Sequence, residues 1–133
     1  MNETGIISKI SHQDFDTTYQ KLKGVIENNP NLKIIAELNH QANASSVGLE
    51  LNPTKIIMFG NPNLGTPLMQ NSQTMGLDLP QKILVYQDNE GVVKVSYNNP
   101  LYLRDRHSIT NQEGILNKIA GALDNITNAA IAG

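Results

Sequence analysis

At 133 residues, with ten basic and twelve acidic side chains and a formal charge of −2, the chain fits one domain with a core of its own and lacks the basic footprint of a general nucleic-acid binder. Four Tyr, two Phe and no Trp leave few stacking platforms for single strands or glycans, and zero cysteine removes disulfides, thiolate metal sites and cysteine nucleophiles together. The opening Met1-Asn2-Glu3-Thr4-Gly5 has no basic flank or apolar core of signal-peptide type, and no stretch approaches about eighteen apolar residues; the chain reads as soluble, without membrane insertion, and both a cytoplasmic and an exported home stay open.

Residues 5–10 form a short β-branched run, and Ser11 and Asp14 offer caps for the helix that follows. From 14 to 28 the apolar or semi-apolar positions Phe15, Thr18, Tyr19, Leu22, Val25 and Ile26 recur every three or four residues, the stripe of a helix lying on a sheet; Pro30 ends it. Residues 32–38 predict a second strand, with Leu32, Ile34, Ala36 and Leu38 on one side and Lys33, Ile35 and Glu37 on the other. Small residues from 39 to 48 predict a short helix capped by Asn39 and stopped by Gly48, then a brief extended piece at 49–51.

The apolar run Ile56-Ile57-Met58-Phe59 is a buried strand that empties into a turn containing Gly60, Asn61, Pro62, Gly65, Thr66 and Pro67. A short helix is expected next, with Thr66 as its N-cap and Pro67 at its first position. The turn is not a phosphate loop, because it lacks the spacing and the terminal Lys-Ser/Thr. Residues 71–76 read as a polar loop. Strands at 82–87 and 92–97 flank Asp88-Asn89-Glu90-Gly91 as a hairpin, with Gly91 where a left-handed residue is needed. A helical turn at 101–106, a polar link at 107–111 and a last helix at 112–128 complete the order; that helix has an apolar stripe of Ile115, Leu116, Ile119, Ala122, Leu123 and Ile126, and fraying is expected at 129–133.

Three segments then carry a resemblance: FGNPNLGTPLMQ from Phe59 to Gln70, LDLPQKILVYQD from Leu77 to Asp88 and VSYNNPLYLRDRH from Val95 to His107, with a weaker echo from Glu37 to Thr54. They resemble the family called domain of unknown function 302. The resemblance implies an α+β two-layer sandwich of the TATA-binding-protein-like kind, an antiparallel sheet with two long helices on one face in a β-α-β(4)-α-like order, and a frequent homodimer. It implies no DNA binding, because function belongs to sites and not to architecture.

Polar residues gather in three places. His40 lies beside Asn39 and Glu37 at a strand end; an imidazole's ordinary pKa of about 6.5 suits a general acid/base or an orienting donor, while a lone histidine at a strand end is more often a cap or packing residue. Asn61 and Thr66 lie in the Gly60–Pro67 turn. Tyr97, Asn98, Arg104, Arg106 and His107 put two guanidinium groups and an imidazole within four residues, able to hold a carboxylate or phosphate, or simply to pair with Asp105 or another acid. If these segments meet at one end of the sheet, His40, Asn61, Thr66, Tyr97 and Arg104 line one cleft. Three histidines without paired spacing predict no metal site, no serine sits in a nucleophile elbow, and no cofactor is expected.

Three readings follow. The domain binds a small polar or anionic ligand or a protein partner at the turn-rich end of its sheet; or it is an enzyme in which His40 is the acid/base and Asn61 and Arg104 hold an anionic substrate; or it is a structural homodimerisation module whose seam is an exposed sheet face or edge.

Overall fold

The computed structural model describes residues 4–133. Five strands, β1 (Ile6–Ser11), β2 (Lys33–Asn39), β3 (Thr54–Gly60), β4 (Gln81–Gln87) and β5 (Val93–Asn98), form one antiparallel sheet in the order β1-β5-β4-β3-β2. Two long helices, α1 (Phe15–Glu27) and α5 (Glu113–Ile131), pack on each other and on one face of it. Shorter helices α2 (His40–Ser45), α3 (Pro62–Asn71) and α4 (Pro100–Arg106), with a 3-10 helix at Gln73–Leu77, make the connections. The expected α+β sandwich is the architecture found.

The stripes predicted for the long helices are the faces they bury. Asp14 caps α1 by accepting from the Thr17 amide at 2.7 Å, and Phe15, Thr18, Tyr19, Leu22 and Ile26 are buried. Leu116, Ile119, Leu123, Ile126 and Ala130 do the same for α5. Beneath them lie Ile57, Phe59, Ile83, Val85, Val93, Val95 and Tyr97. Each fully buried Leu or Ile contributes roughly 2 kcal/mol by leaving water. Lys9 on edge strand β1 points inward: its Nζ donates to Asp124 Oδ1 at 2.7 Å and to Thr127 Oγ1 and Asn128 Oδ1 at 2.8 Å.

Strand pairing fixes what occupies the other face. A central row crosses all five strands as Leu38, Ile56, Leu84, Ser96 and Ser8. On one side of it run Thr54, Tyr86, Lys94 and Ile10; on the other, Ala36, Met58 and Lys82, then Asn98 paired with Ile6. A shallow groove of about 480 Å³ lies on this face, lined by Thr4, Ile6, Ser8, Thr54, Leu84, Tyr86 and Ser96.

Four expectations need correcting. Thr66 does not cap α3 and Pro67 does not start it: Asn61 is the N-cap, accepting from the Asn63 amide at 3.0 Å, Pro62 holds the first position and Pro67 lies inside. Asn-Pro is itself a good helix start, and the helix absorbs Pro67 with one backbone bond forgone. Strand β2 does not alternate as expected, because a bulge between Ile34 and Ala36 shifts the register, so Ile34 and Glu37 face the helices while Ala36 and Leu38 do not. The stretch from 71 to 76 is no polar loop: Asn71 ends α3, and Gln73–Leu77 form the 3-10 helix, anchored by Met75 at 1% exposure. The end of α5 does not fray at 129: Ala130 is fully buried, and the carbonyl of Ala132 accepts from Gln13 Nε2 and Lys21 Nζ.

Candidate functional site

Two chain segments, distant in sequence, build a polar cluster around a buried histidine. Helix α4 ends at Arg106, His107 caps it with its amide on the Leu103 carbonyl at 3.0 Å, and the chain turns back through Ser108 at a φ of 52°. Buried Leu103 and Ile109 on either side hold the turn in the core. Opposite, the 3-10 helix is pinned by Met75, so that Thr74 and Asp78 emerge beside the turn. Asn71 ties the segments together: its Nδ2 donates to the Thr110 carbonyl at 2.8 Å, and its Oδ1 accepts from the Thr110 amide at 3.1 Å.

At the centre is His107, whose side chain is 3% exposed. Its Nε2 lies 2.5 Å from Asp78 Oδ2 and its Nδ1 lies 2.9 Å from Thr74 Oγ1. Arg106 Nη1 donates to both oxygens of Asp78, at 3.1 and 2.8 Å. A carboxylate oxygen accepts, so Nε2 carries the hydrogen; in the neutral ring Nδ1 then accepts from the Thr74 hydroxyl. A hydroxyl, an imidazole and a carboxylate therefore stand in series.

The other predicted residues are dispersed. Asn61 is the α3 cap, and Thr66 is exposed in the middle of α3. Tyr97 is 6% exposed and faces α5, and its burial, above all, raises its pKa. Asn98 ends β5, and Asn99 caps α4 by accepting from the Leu101 amide at 3.0 Å. Arg104 pairs with Asp105 at 2.9 Å, a contact that raises its pKa through the hydrogen bond and the adjacent charge. Both guanidinium groups of the anion-binding reading thus have carboxylates from this chain.

His40 stands apart from the rest. The β2–β3 pairing sets Asn39 opposite Lys55 and Lys33 opposite Gly60, so His40 and Asn61 leave the sheet at opposite ends, about 20 Å apart along the strands. His40 is half-buried at the start of α2, whose Gln41 and Ser45 wall a polar groove of about 580 Å³ with Glu50, Leu51, Asn52, Pro53 and Asn89. Glu37 lies on the helix side, accepting from the Tyr19 hydroxyl and pairing with Lys23 at 3.1 Å. Asp78 and Thr74 were not among the expected site residues. They lie 29 and 33 positions from His107, and no local spacing announces such a contact.

Residues 7–126 match the family described as "Domain of unknown function DUF302". The chain belongs to that family. A solved relative, an uncharacterised conserved DUF302 protein from Bacillus stearothermophilus, superposes with a TM-score of 0.82 over 95% of this chain and 98% of its own, at 18% identity, which supports the DUF302 fold. Among curated proteins, similarity extends to "Fluoride-specific ion channel FluC 1" of Brucella suis biovar 1 (strain 1330), 35% identical over 107 residues, covering 80% of this chain and 42% of the channel. "Fluoride-specific ion channel FluC 2" of Brucella melitensis biotype 1 (strain ATCC 23456 / CCUG 17765 / NCTC 10094 / 16M) matches with the same identity over 39% of its length. The DUF302 chain spans about two fifths of these relatives. No described helix is long and apolar enough to cross a membrane.

Proposed function

We propose that this DUF302 domain is an interaction module whose working surface is the sheet face opposite α1 and α5, and that a second copy of the chain covers it. The observation that carries the reading is the central row, apolar through Leu38, Ile56 and Leu84 and then hydroxylic at Ser96 and Ser8, with no acidic residue in the rows beside it. Such a row is self-complementary. With the two-fold axis running along it, apolar positions meet apolar ones, while Ser96, 7% exposed and hydrogen-bonded to Ser8 Oγ at 2.7 Å, leaves the exposed Ser8 to meet Ser8.

The flanking rows support the same arrangement. That axis exchanges them, so Lys82 of one copy lies over Tyr86 of the other, a cation on an aromatic ring, and Lys94 meets Asn98. Like charges do not coincide, and Lys94 already has Asp88 at 3.2 Å. Five strands of about six residues give a flat footprint of about 500 Å² before side-chain relief is added, the size class of the smaller specific interfaces.

Sedimentation equilibrium tests the reading. The wild type is expected to sediment as a dimer and Leu84→Lys as a monomer with an unchanged far-UV circular dichroism spectrum. A wild type that stays monomeric at about 100 µM, well above the micromolar affinities of specific interfaces of this size, overturns the proposal.

A further inference from the structure

The geometry points to Thr74 as an activated nucleophile, its hydroxyl primed by His107 and Asp78 to take the acyl group of an ester with a good leaving group. The arrangement has the parts that a hydroxyl nucleophile needs: a base within hydrogen-bond reach and a carboxylate orienting that base from the far side. The distances are 2.9 Å from Thr74 Oγ1 to His107 Nδ1 and 2.5 Å from His107 Nε2 to Asp78 Oδ2. Arg106 holds the carboxylate through both oxygens, and burial of the imidazole leaves it little freedom to turn.

Exposure together with a ring nitrogen as its partner distinguishes Thr74 from other threonines with hydrogen-bonded hydroxyls: the exposed bonds of Thr4 and Thr54 are to backbone groups. Thr18 and Thr127 are fully buried, and their hydroxyls donate to the backbone carbonyls of Asp14 and Leu123 at 2.8 Å. Thr74 is exposed, so a reagent from solvent reaches its oxygen. Ser72 Oγ, 3.3 Å away, is a second hydroxyl able to donate to that oxygen once its own proton is directed at the imidazole.

The step balances within these groups. Thr74 Oγ bonds to the carbonyl carbon as its proton passes to His107 Nδ1, and the imidazolium so formed faces the Asp78 carboxylate. The tetrahedral adduct then collapses: the bond from carbon to the leaving oxygen breaks, the alcohol departs with the proton from Nδ1, and Thr74 is left as an ester. No oxidant, metal or cofactor enters.

The test treats the full chain with p-nitrophenyl acetate near pH 7.5, follows nitrophenolate release, quenches in acid at short times and maps acetylated peptides by mass spectrometry. One acetyl group is expected on Thr74, abolished in Thr74→Val, retained in Thr74→Ser and slowed by about 100-fold in His107→Gln, the usual scale of lost general-base assistance. Acetyl only on lysines or the terminal amine, or Thr74 modified at wild-type rate in a folded His107→Gln, overturns the proposal. Should His107→Gln fail to fold, Thr74→Val decides alone at its exposed position: unchanged nitrophenolate release counts against the assignment.

Discussion

The hydroxyl of Tyr19 donates to Glu37 Oε1 at 2.6 Å and so ties the middle of α1 to the edge strand β2. The hydrogen bond from Tyr19 is the chief reason that the Glu37 carboxyl sits below its usual pKa, with Lys23 adding to it; burial, then Glu37, raises the Tyr19 phenol. Because the folded carboxyl is depressed, its contribution is present above the unfolded value near 4.5 and is lost as pH falls through the folded one. The raised phenol contributes below its ordinary value of 10.0, and that contribution is lost as pH climbs through the higher folded value. Tyr19→Phe should cost about 1 kcal/mol at pH 7, less than a fully buried charged hydrogen bond because Glu37 is a third exposed, and should flatten both limbs. Urea unfolding from pH 3 to 11 measures it.

The β4–β5 hairpin is predicted to depend on one carboxylate. Asp88 Oδ1 accepts from the amides of Val92 and Glu90, both at 2.9 Å, and Lys94 pairs with the other oxygen. The Val92 amide, before the others, holds the Asp88 pKa below 3.8. Asp88→Ala should lower the melting temperature by a few degrees at pH 7, and the gap from wild type should close as pH falls through that depressed value. Differential scanning calorimetry at pH 7 and pH 2.5 separates the two.

Gly5 has a φ of +72°, and a Cβ built there would stand 2.2 Å from Tyr102 Cγ. Gly5→Ala should therefore destabilise by more than the roughly 1 to 2 kcal/mol of a left-handed Ala, because the ring has to move as well. In a Tyr102→Ala background only the backbone strain remains, so the second Gly5→Ala step should be the milder. A double-mutant cycle by chemical denaturation gives that coupling, and a coupling of zero removes the ring from the account.

Leu22 is fully buried at the centre of α1. Leu22→Ala should cost about 3 kcal/mol, and Leu22→Met less than about 1.5, measured as a shift in urea midpoint at constant slope.

What the sequence made legible follows from the range of the interaction. The stripe of α1, the Asp88–Gly91 turn and the Asn39 cap are each decided within a few residues, and they stand where expected. The bulge in β2 is decided by pairing with β3, so a strict alternation read from 32–38 put Ile34 and Glu37 on opposite sides of the sheet. The start of α3 turned on a choice between two Pro-bearing starts, and Asn61-Pro62 prevailed over Thr66-Pro67. Among site residues, His107 drew attention by its type, whereas its partners Asp78 and Thr74 are set beside it only by the Asn71–Thr110 tie and the packing of Met75 and Ile109. The antiparallel course of β2 and β3, once paired, is also what separates His40 from Asn61.

The irregularity in β2 and the inward lysine of β1 bear on how far the molecule can polymerise. Both outer strands are blunted, one by an extra residue that interrupts hydrogen-bond spacing and carries Ile35 outward at 59% exposure, the other by a cation tethered to the helix layer. Growth by adding strand to strand, the route to open-ended fibrils, meets an obstacle at either rim.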